Sequence, residues 1–571
     1  MNFYASFAHS AWVRPGLLAI QRAHYSSAKP YYISTPIFYV NAVPHIGHLY
    51  SGVIGDILAR YARLRNPERP VILNTGTDEH GLKIQRASEL DGTEAREFCD
   101  RISERFKNLA KAANLSHTRF MRTTDPDHRI AAQHFWVELD KRGVIYKGQH
   151  SGWYSVSDEC FYTDNQIKTV VDPSTQKELK ISAETGQPVE WTEEDNYKFR
   201  LSAYREPLLK WMTENEMSVY PQVRREELIS FLRDPANMRD LSISRPRNRL
   251  KWGIPVPGDE EHTIYVWLEA LVNYLTAVGY PWKDGNGENM GWPTDVHVVG
   301  KDIIRFHAIM FPAFLMALDM ELPKTVIGHG HWTMDHQKMS KTKGNVVDPF
   351  AVLGYFGVDA VRYYMALVAG NFRSDSDWSE LQILKHYNHD LRGIIGNLLS
   401  RVTAPKLHDA LAAFGPNSDS PEDVASYISL GKAGEEDLLI KSVLEGLPNR
   451  VEHHFANFEI GKALEAIYDA LDKANLHTTR LSWWRYPNHQ SLVRRSHFYS
   501  HEALRISAIL LSPFMPGKSA EMLSVLGISV DARTWQDTRF GAAGVPGIRP
   551  SKRGYKDLFP PVPVPLPRPQ V

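Results

Sequence analysis

The chain has 571 residues, of which 43% are hydrophobic and 23% charged, and its formal net charge is zero. This length predicts several domains with large cores. No apolar run approaches the roughly 18 residues of a membrane span, so we expect no membrane segment and no membrane partner. Cys99 and Cys160 are the only cysteines, which excludes a disulfide framework and favours a reducing compartment.

The first 28 residues differ in composition from the rest. They contain Arg14 and Arg22 among serine, small and apolar residues, and the first acidic residue of the chain is Asp56. This composition is typical of a mitochondrial transit peptide, whereas a secretory signal would carry its positive charge before the apolar stretch. We therefore predict a transit peptide over residues 1–28 and a location in the mitochondrial matrix. The alternative is a disordered start of a cytosolic protein.

From Tyr31 the pattern is that of a parallel α/β domain. The segment YYISTPIFYV has the aromatic and β-branched composition of a buried strand. PHIGHLYSGVIGDILARYARLR then has helical periodicity, and RPVILNTGTDEHG indicates a second strand ending in polar residues. The strand–helix pattern recurs in DVHVVGKDIIRFHAIMF and KTVIGHGHW. We predict a Rossmann-like parallel-sheet domain over residues 29–376, with ligands at the carboxyl ends of its strands.

Three segments lack this alternation of predicted strands and helices. Residues from about 143 to 250 have hairpin-like turns without strand–helix–strand repeats, which predicts an insertion that splits the α/β unit. From about Ser379 the apolar periodicity is helical, which predicts an α-helical bundle over residues 377–544. Residues 545–571 are proline-rich and basic, which predicts an extended tail or a strap over another domain.

Two short motifs suit the binding of phosphate. His45, Gly47 and His48 lie where the first predicted helix begins, and the N–H groups of a helix N-terminus attract anions. Gly47 also lets a flat base approach the backbone. KMSKT places Lys338 and Lys341 in one loop, where like charges favour a bound anion. Taken singly, the motifs are weak, because capping histidines and a solvated lysine loop look the same.

Together, HIGH after a first strand and KMSKT after a late strand resemble the two signatures of class I aminoacyl-tRNA synthetases. The blocks TPIFYVNAVPHIGH, GTDEHG, YVWLEALVNY, GKDIIRFH and KMSKTKGNVVDP are similar to those of the methionyl-tRNA synthetase family. The resemblance implies a methionine–tRNA ligase of mitochondrial translation. ATP with Mg²⁺ would activate L-methionine to methionyl-adenylate, and the 3′-terminal ribose of tRNA(Met) would accept the methionyl group.

The resemblance also implies roles for individual residues. The catalytic residues would be His45, His48, Lys338 and Lys341. ATP would be bound by Gly47, Gly300, Asp302, Lys338, Met339, Ser340 and Lys341. Methionine would be bound by Ile37, Tyr39, Asp78, Trp267, Ala270, Tyr274, Ile303, Phe306 and His307. Asp78 would pair with the α-ammonium group, and the aromatic rings suit a flexible thioether. By spacing, Trp267, Ala270 and Tyr274 share one helix face, although such a stripe is also typical of plain core.

In the predicted bundle, Asn397 and Arg401 are spaced i, i+4 on one helix face, as an ordinary solvated pair also would be. The resemblance implies that these two residues and a tryptophan on a neighbouring helix read the CAU anticodon, because single-stranded bases are recognised by stacking and edge hydrogen bonds. Spacing favours Trp484, with the adjacent Trp483 as a competitor.

Two features often found in relatives are missing from the sequence. Cys160 is the only cysteine of the predicted insertion, so CxxC zinc knuckles are absent and we expect no structural zinc or other metal site. The chain has no appended oligonucleotide-binding domain, so we expect a monomer.

Two alternatives stay open. The first is a class I synthetase for leucine, isoleucine, valine or cysteine, although an editing domain would hardly fit between His48 and Lys338. The second is a catalytically inactive relative that only binds tRNA, which would have no chemical need for HIGH, GTDEHG and KMSKT together.

Overall fold

The computed structural model describes residues 29–156, 159–162, 164–171, 178–183, 185–283, 287–339, 345–414, 432–542 and 558–563. Of Lys338 and Cys160, only the backbone is described. The predicted transit peptide, Ser340, Lys341 and most of the predicted proline-rich tail lie outside the described residues.

Eighteen strands occur among the described residues. They are β1 Tyr31–Tyr39, β2 Val71–Asp78, β3 Arg119–Arg122, β4 Ile145–Ser155, β5 Cys160–Tyr162, β6 Ile167–Val171, β7 Glu178–Ser182, β8 Glu190–Phe199, β9 Val219–Tyr220, β10 Leu241–Ser242, β11 Ser244–Pro246, β12 Pro255–Val256, β13 Asp259–Ile264, β14 Val296–Gly300, β15 Thr325–His329, β16 Trp332–Met334, β17 Gln337–Lys338 and β18 Ser376–Asp377.

The α-helices of the described part are α1 Ile46–Arg65, α2 Leu82–Asp91, α3 Ala95–Ala112, α4 Pro126–Lys141, α5 Arg205–Glu214, α6 Gln222–Arg233, α7 Val266–Leu271, α8 Asn273–Thr276, α9 Phe311–Ala317, α10 Pro349–Phe356, α11 Val358–Ala369, α12 Glu380–His386, α13 Asn397–Val402, α14 Pro405–Ala413, α15 Lys432–Ala456, α16 Ile460–Leu481, α17 Gln490–Leu511 and α18 Pro516–Val525. Two π-helical segments, Phe306–Met310 and Tyr387–Gly396, adjoin α9 and α13.

A six-stranded sheet in the order β3-β2-β1-β14-β15-β9 forms the centre of the α/β domain. All of its paired strands run parallel. Its central strands are almost entirely buried, as β14 and β15 show at every position, because helices cover a parallel sheet on both faces. The predicted fold class, a Rossmann-like parallel sheet followed by a helical region, is confirmed.

The range predicted as an insertion contains a four-stranded antiparallel sheet in the order β10-β8-β4-β5. The range does not belong to the insertion throughout. Its strand β9 pairs in parallel with β15 and is the edge strand of the central sheet. The two-residue strand VY at 219–220 is too short for a periodicity to predict. The outer boundaries of the insertion stay a prediction.

One apolar core continues from the central sheet into the helical region. Ile57 on α1, Met365 on α11, Leu464 on α16 and Leu504 on α17 belong to the same cluster of buried residues. Among the described residues, no single helix combines the length and the apolar character that crossing a membrane requires, and only the bent pair α10 and α11 does so together.

A buried arginine, ion-paired within the α/β domain, joins the two regions at this core. Arg362 on α11 lies 2.7 Å from Asp56 on α1, and both side chains are fully buried. The guanidinium also donates to the carbonyls of Ala113, Pro513 and Phe514, at 3.2, 2.9 and 2.9 Å. These carbonyls follow α3 and α17, so one side chain connects the α/β domain to the bundle.

The described residues of the predicted tail pack on this junction. Leu558 and Phe559 are buried in the main core. The Phe559 carbonyl accepts from Arg392 at 3.2 Å, the Pro560 carbonyl accepts from Tyr387 at 2.8 Å, and the Pro563 carbonyl accepts from Tyr355 on α10. Of the two predicted alternatives, these six residues therefore have the contacts of a strap.

We expect Arg362→Met to lower the free energy of unfolding by about 3–5 kcal/mol, because Asp56 would remain as a buried charge without its main partner. The matched control is Arg65→Met, which removes an exposed ion pair between α1 and Glu452 on α15 and should cost about 1 kcal/mol or less. Urea unfolding followed by tryptophan fluorescence measures both. Equal losses of unfolding free energy in the two variants would contradict the conclusion that the buried contact of Arg362 with Asp56 stabilises the fold.

The same ion pair predicts a pH dependence. Burial raises the pKa of Asp56, but Arg362, Arg60 and the Ser116 hydrogen bonds outweigh it and hold the pKa below its ordinary value of 3.8. A group with a lowered pKa stabilises the fold at pH values above its ordinary pKa, and the stabilisation disappears as the pH falls through the folded pKa. The difference in stability between the wild type and Asp56→Asn should therefore shrink below about pH 4.

Candidate functional site

A cleft of about 1470 Å³ lies at the carboxyl ends of β1, β2, β14 and β15, and the antiparallel sheet forms its opposite wall. The cleft is lined by Ile37, Tyr39, His45, Gly47, His48, Asp78, Trp267, Ala270, Tyr274, Gly300, Asp302, Ile303, Phe306, His307 and Met339. The structure thus brings together every predicted methionine and ATP residue whose side chain it describes. Carboxyl strand ends are where open parallel sheets bind ligands.

The two histidines of HIGH form a reciprocal cap at the start of α1. The Nδ1 of His45 accepts from the Gly47 N–H at 3.1 Å, and the Nδ1 of His48 accepts from the His45 N–H at 3.0 Å. Burial first, and then the neighbouring His45, holds the pKa of His48 well below its ordinary value. The neutral His48 ring therefore carries its proton on Nε2. The first turn contains no acidic residue, so this end of the cleft suits an anion.

Asp78 is a buried carboxylate at the end of β2, directly opposite Tyr39 in the parallel register. Its Oδ1 has no hydrogen-bond partner among the described residues. Burial raises the pKa of Asp78 well above its ordinary value, and the carboxylates of Glu269 and Glu159 raise it further. A buried carboxylate beside others is costly unless a cation pairs with it. This end of the cleft therefore suits a ligand with a positive charge.

Neutral aromatic side chains form the wall next to Asp78. Trp267 and Phe306 stack with their ring centroids 3.6 Å apart and their planes inclined by 10°. The His307 Nδ1 lies 2.9 Å from the Ile303 carbonyl, which can only accept, so Nδ1 carries the proton. Nε2 then accepts from the Tyr274 hydroxyl at 2.7 Å. Burial lowers the pKa of His307 to about 4, so the wall carries no charge near neutral pH.

The helix predicted around Trp267 is interrupted. It ends at Leu271, and α8 begins at Asn273. Trp267, Ala270 and Tyr274 nevertheless all face the cleft, so the predicted shared face survives the break.

The turn after β14 carries the residues predicted to meet the ribose. A Cβ at Gly300 would lie 2.6 Å from Asp302 Oδ1, so a side chain there would displace this carboxylate. Asp302 Oδ1 lies 3.1 Å from His331 Nε2, so an imidazole from beyond the neighbouring strand end lies beside the carboxylate. A carboxylate held in this way suits hydroxyl donors.

The lysine motif begins at the same mouth of the cleft. β17 pairs antiparallel with β16, with Lys338 opposite Thr333. Met339 packs against the main core and lines the cleft. Ser340 and Lys341 follow directly and lie outside the described residues.

Three charged residues of the site are not anticipated by the motifs. Glu159 comes from the turn between β4 and β5, Arg245 is buried on β11, and Glu269 on α7 lies within 3.1 Å of His80 and 3.0 Å of His128. Glu269 gives a signal in the sequence, because it is an acid within the apolar run YVWLEALVNY. Glu159 and Arg245 give none, because Tyr39, which Glu159 contacts, and the tyrosine rings beside Arg245 come from other strands and turns.

A second constellation lies in the bundle. Asn397 donates to the Asn475 side chain at 3.1 Å, and Arg401 donates to the Asn475 carbonyl at 3.1 Å and to Thr479 at 2.9 Å. The Arg401 guanidinium lies 5.8 Å from the Trp484 ring centroid.

The two adjacent tryptophans differ in exposure. Trp484 is 44% exposed, whereas Trp483 is 6% exposed and packs with Leu407 and Val493 in a small core. Of the two competitors, Trp484 is therefore the ring that could stack on a base.

Comparisons with known proteins agree with this geometry. Residues 31–403 match the family model described as tRNA synthetases class I (M). A probable mitochondrial methionine–tRNA ligase of Neurospora crassa is 42% identical over 93% of this chain and 85% of its own length. The mitochondrial methionine–tRNA ligase of Homo sapiens is 42% identical over 89% of this chain and 86% of its own. A solved structure of Mycobacterium tuberculosis methionyl-tRNA synthetase in complex with methionyl-adenylate superimposes with a TM-score of 0.83 and 36% identity, covering 93% of this chain and all of that one.

We expect Asp78→Asn to stabilise the ligand-free protein, because folding forces this carboxyl either to take up a proton or to stay charged beside Glu269 and Glu159. A group with a raised pKa destabilises the fold increasingly as the pH rises from its ordinary pKa to its folded pKa, by up to about 1.4 kcal/mol per pH unit. The gain in thermal midpoint should therefore be larger at pH 7 than at pH 5. The control is Asp127→Asn, an exposed aspartate paired with Arg119. A loss of stability in Asp78→Asn at both pH values would contradict the conclusion that burial of the Asp78 carboxylate is unfavourable in the ligand-free protein.

Proposed function

The chain belongs to the methionyl-tRNA synthetase family of class I tRNA synthetases, and we propose how its residues divide the work of a methionine–tRNA ligase. The enzyme activates methionine with ATP and transfers the methionyl group to tRNA. The observation that carries the division is the polarity of the cleft. Buried carboxylates lie at one end, an uncharged histidine turn lies at a helix N-terminus at the other, and neutral aromatic rings lie beside the carboxylates.

The acidic end binds the amino-acid part of methionine. Asp78 accepts the α-ammonium group, which relieves the burial of its own charge. Trp267, Ala270, Tyr274 and Phe306 surround the thioether, with Ile37, Tyr39, Ile303 and His307 completing the pocket. The Tyr274 hydroxyl donates to the neutral ring of His307. These two residues therefore present no charge to the uncharged side chain of methionine. A pocket of this kind separates side chains that differ by one methylene by only about 1–3 kcal/mol, so homocysteine is the expected competitor.

The histidine turn and the lysine loop bind ATP, which arrives with Mg²⁺ on its phosphates. Gly47 leaves space for the adenine, Gly300 and Asp302 meet the ribose, and Met339 and Ser340 lie along the nucleotide. His45 and His48 donate from Nε2 to phosphate oxygens, and Lys338 and Lys341 stabilise charge as pyrophosphate leaves. Methionine's carboxylate then needs only to be held in line with the α-phosphorus.

The bundle selects the tRNA. Trp484 offers an exposed ring for stacking on an anticodon base, Arg401 lies beside it, and Asn397, which like Arg401 contacts Asn475, adds a polar group for the base edges. The tRNA is tRNA(Met), and its 3′-terminal ribose enters the cleft to accept the methionyl group.

We further propose the setting of the enzyme. Its relatives are named as mitochondrial, and together with the composition of residues 1–28 this supports a transit peptide and the mitochondrial matrix. We propose a monomer that works without a membrane and without a structural zinc ion. Among the described residues, no group of three or more His, Cys, Asp or Glu side chains has the arrangement of a metal site.

The test is methionine-dependent ATP–pyrophosphate exchange on protein starting at about Ser27. Homocysteine, leucine and cysteine are measured alongside methionine. We expect methionine to give the highest kcat/KM. A higher value for leucine or cysteine would move the assignment to another class I specificity, and exchange with none of the four would favour a protein that only binds tRNA.

We expect Lys341→Ala to lower the exchange rate by about 100-fold or more, because a preorganised charge at a departing pyrophosphate acts mainly in the transition state. The affinity for tRNA should stay within about twofold by filter binding. The control is Lys141→Ala, a lysine that is 66% exposed and paired with Glu138, which should leave exchange unchanged. Loss of tRNA affinity with normal exchange would contradict this assignment of Lys341.

We expect Trp484→Ala to weaken tRNA(Met) binding by about tenfold, because stacking on one base contributes roughly 1–3 kcal/mol. Exchange without tRNA should not change. Trp484→Phe keeps an aromatic face and should retain most of the affinity. If Trp484→Ala bound tRNA as tightly as the wild type, the anticodon contact would have to lie elsewhere.

A further inference from the structure

One carboxylate of the cleft comes from the inserted antiparallel sheet. We propose that Glu159 is a positioning residue for methionine, which holds Tyr39 in the amino-acid pocket through the tyrosine hydroxyl. The inference rests on the proposed function, because it takes Tyr39 as a residue that contacts methionine. Glu159 itself belongs to no motif in the sequence, and none of the roles proposed above includes it.

The contacts of Glu159 join three elements. Its Oε1 accepts from the Tyr39 hydroxyl at 2.9 Å and from the Lys83 N–H at 2.5 Å. Its Oε2 lies 3.5 Å from the Tyr154 hydroxyl. Tyr39 ends β1, and Lys83 lies in the first turn of α2, directly after GTDEHG. The carboxylate of the insertion thus touches two of the chain segments at the amino-acid end of the cleft, the end of β1 and the start of α2.

The backbone around Glu159 fixes the direction of its side chain. Glu159 has a φ of 53°, in the left-handed region that few non-glycine residues adopt. Its carbonyl accepts from the Tyr265 hydroxyl, so the turn is held on the side of β13. Residues in strained conformations persist where surrounding contacts hold them, often at functional sites.

Gly81 provides the space for this contact. Its φ is 111°, and a Cβ there would collide with the Tyr39 hydroxyl and would lie 3.0 Å from Glu159 Oε1. A side chain at this position would therefore separate Tyr39 from Glu159. The glycine of GTDEHG serves the hydrogen bond as well as the turn.

The charges around Glu159 are partly balanced. Burial raises the pKa of Glu159, while the hydrogen bonds from Lys83 N–H and Tyr39, and the charge of Arg245, act against it. Arg245 is buried, and its guanidinium lies 4.4 Å from the Tyr265 ring centroid and 5.2 Å from that of Tyr154. The carboxylate is held within a cage of aromatic rings and N–H groups, and its short contacts to Tyr39 and Lys83 both end on Oε1.

The consequence for binding concerns the Tyr39 ring. With its hydroxyl bound to Glu159, the ring stays at the end of β1, next to Asp78. Without the acceptor, the hydroxyl would lose a hydrogen bond to a carboxylate, which contributes about 1.5–3 kcal/mol in proteins. The ring would then be free to adopt other rotamers. Methionine binding would have to order it again.

The test compares Glu159→Ala, Glu159→Gln, Tyr39→Phe and the double variant Glu159→Ala/Tyr39→Phe in pyrophosphate exchange. We expect Glu159→Ala to raise the KM for methionine about tenfold or more, with the KM for ATP within about twofold. Glu159→Gln keeps a carbonyl oxygen for Tyr39 and Lys83 N–H and should restore the KM to within about threefold of the wild type. If Glu159→Ala fails to fold, Glu159→Asp, which is one methylene too short to reach Tyr39, gives the same readout.

The double variant separates positioning from general structural support. If Glu159 acts through the Tyr39 hydroxyl, adding Glu159→Ala to Tyr39→Phe should raise the methionine KM by less than about twofold. Effects that multiply, or equal rises in the KM values for ATP and methionine, would overturn the inference. So would an unchanged methionine KM in Glu159→Ala. A wild-type protein that does not activate methionine would instead overturn the proposed function.

Discussion

The buried contact between Asp56 and Arg362 constrains every other part of the molecule. Two charges removed from water are stable only when their remaining hydrogen-bonding groups are also satisfied. Arg362 meets this condition with carbonyls from the ends of two helices, and Asp56 with Ser116 and Arg60. Through Arg362, the middle of the helix that begins with HIGH is connected to the bundle, so the histidine turn at the start of α1 and the bundle that carries Trp484 belong to one connected structure.

Within that frame, the cleft separates charge along its length. Asp78, Glu159 and Glu269 gather at the strand ends of β2 and in the elements packed against it, whereas the first turn of α1 has no acid and holds a neutral His48. In the function proposed above, a zwitterionic amino acid and a triphosphate have opposite requirements, and each would meet them at its own end of the cleft. On that proposal, binding of the α-ammonium group would also relieve the cost of burying the carboxylates.

The main strands, the helix after HIGH and the residues at the strand ends could be predicted, because they depend on local periodicity and on motifs a few residues long. The strand β9 could not, because two residues carry no periodicity and their pairing with β15 bridges more than a hundred positions of sequence. Glu159 could not be predicted for the same reason, since its partner Tyr39 lies 120 positions earlier. The choice between Trp483 and Trp484 depends on which ring enters the small core with Leu407, and adjacent residues of one type do not reveal it.

The order of strands in the central sheet also sets the order in which the protein can fold. β1 pairs on one side with β2, which follows soon after it, and on the other with β14, which is synthesised more than 250 residues later. Contacts between distant positions form slowly, because the chain must first close a long loop. The contacts around Asp56 and Arg362 are completed later still, because the Phe514 carbonyl that Arg362 binds lies near the end of the helical region. Just over half of the chain must therefore be available before its first strand has both neighbours, so the early part stays incompletely folded while β14 is still to be made.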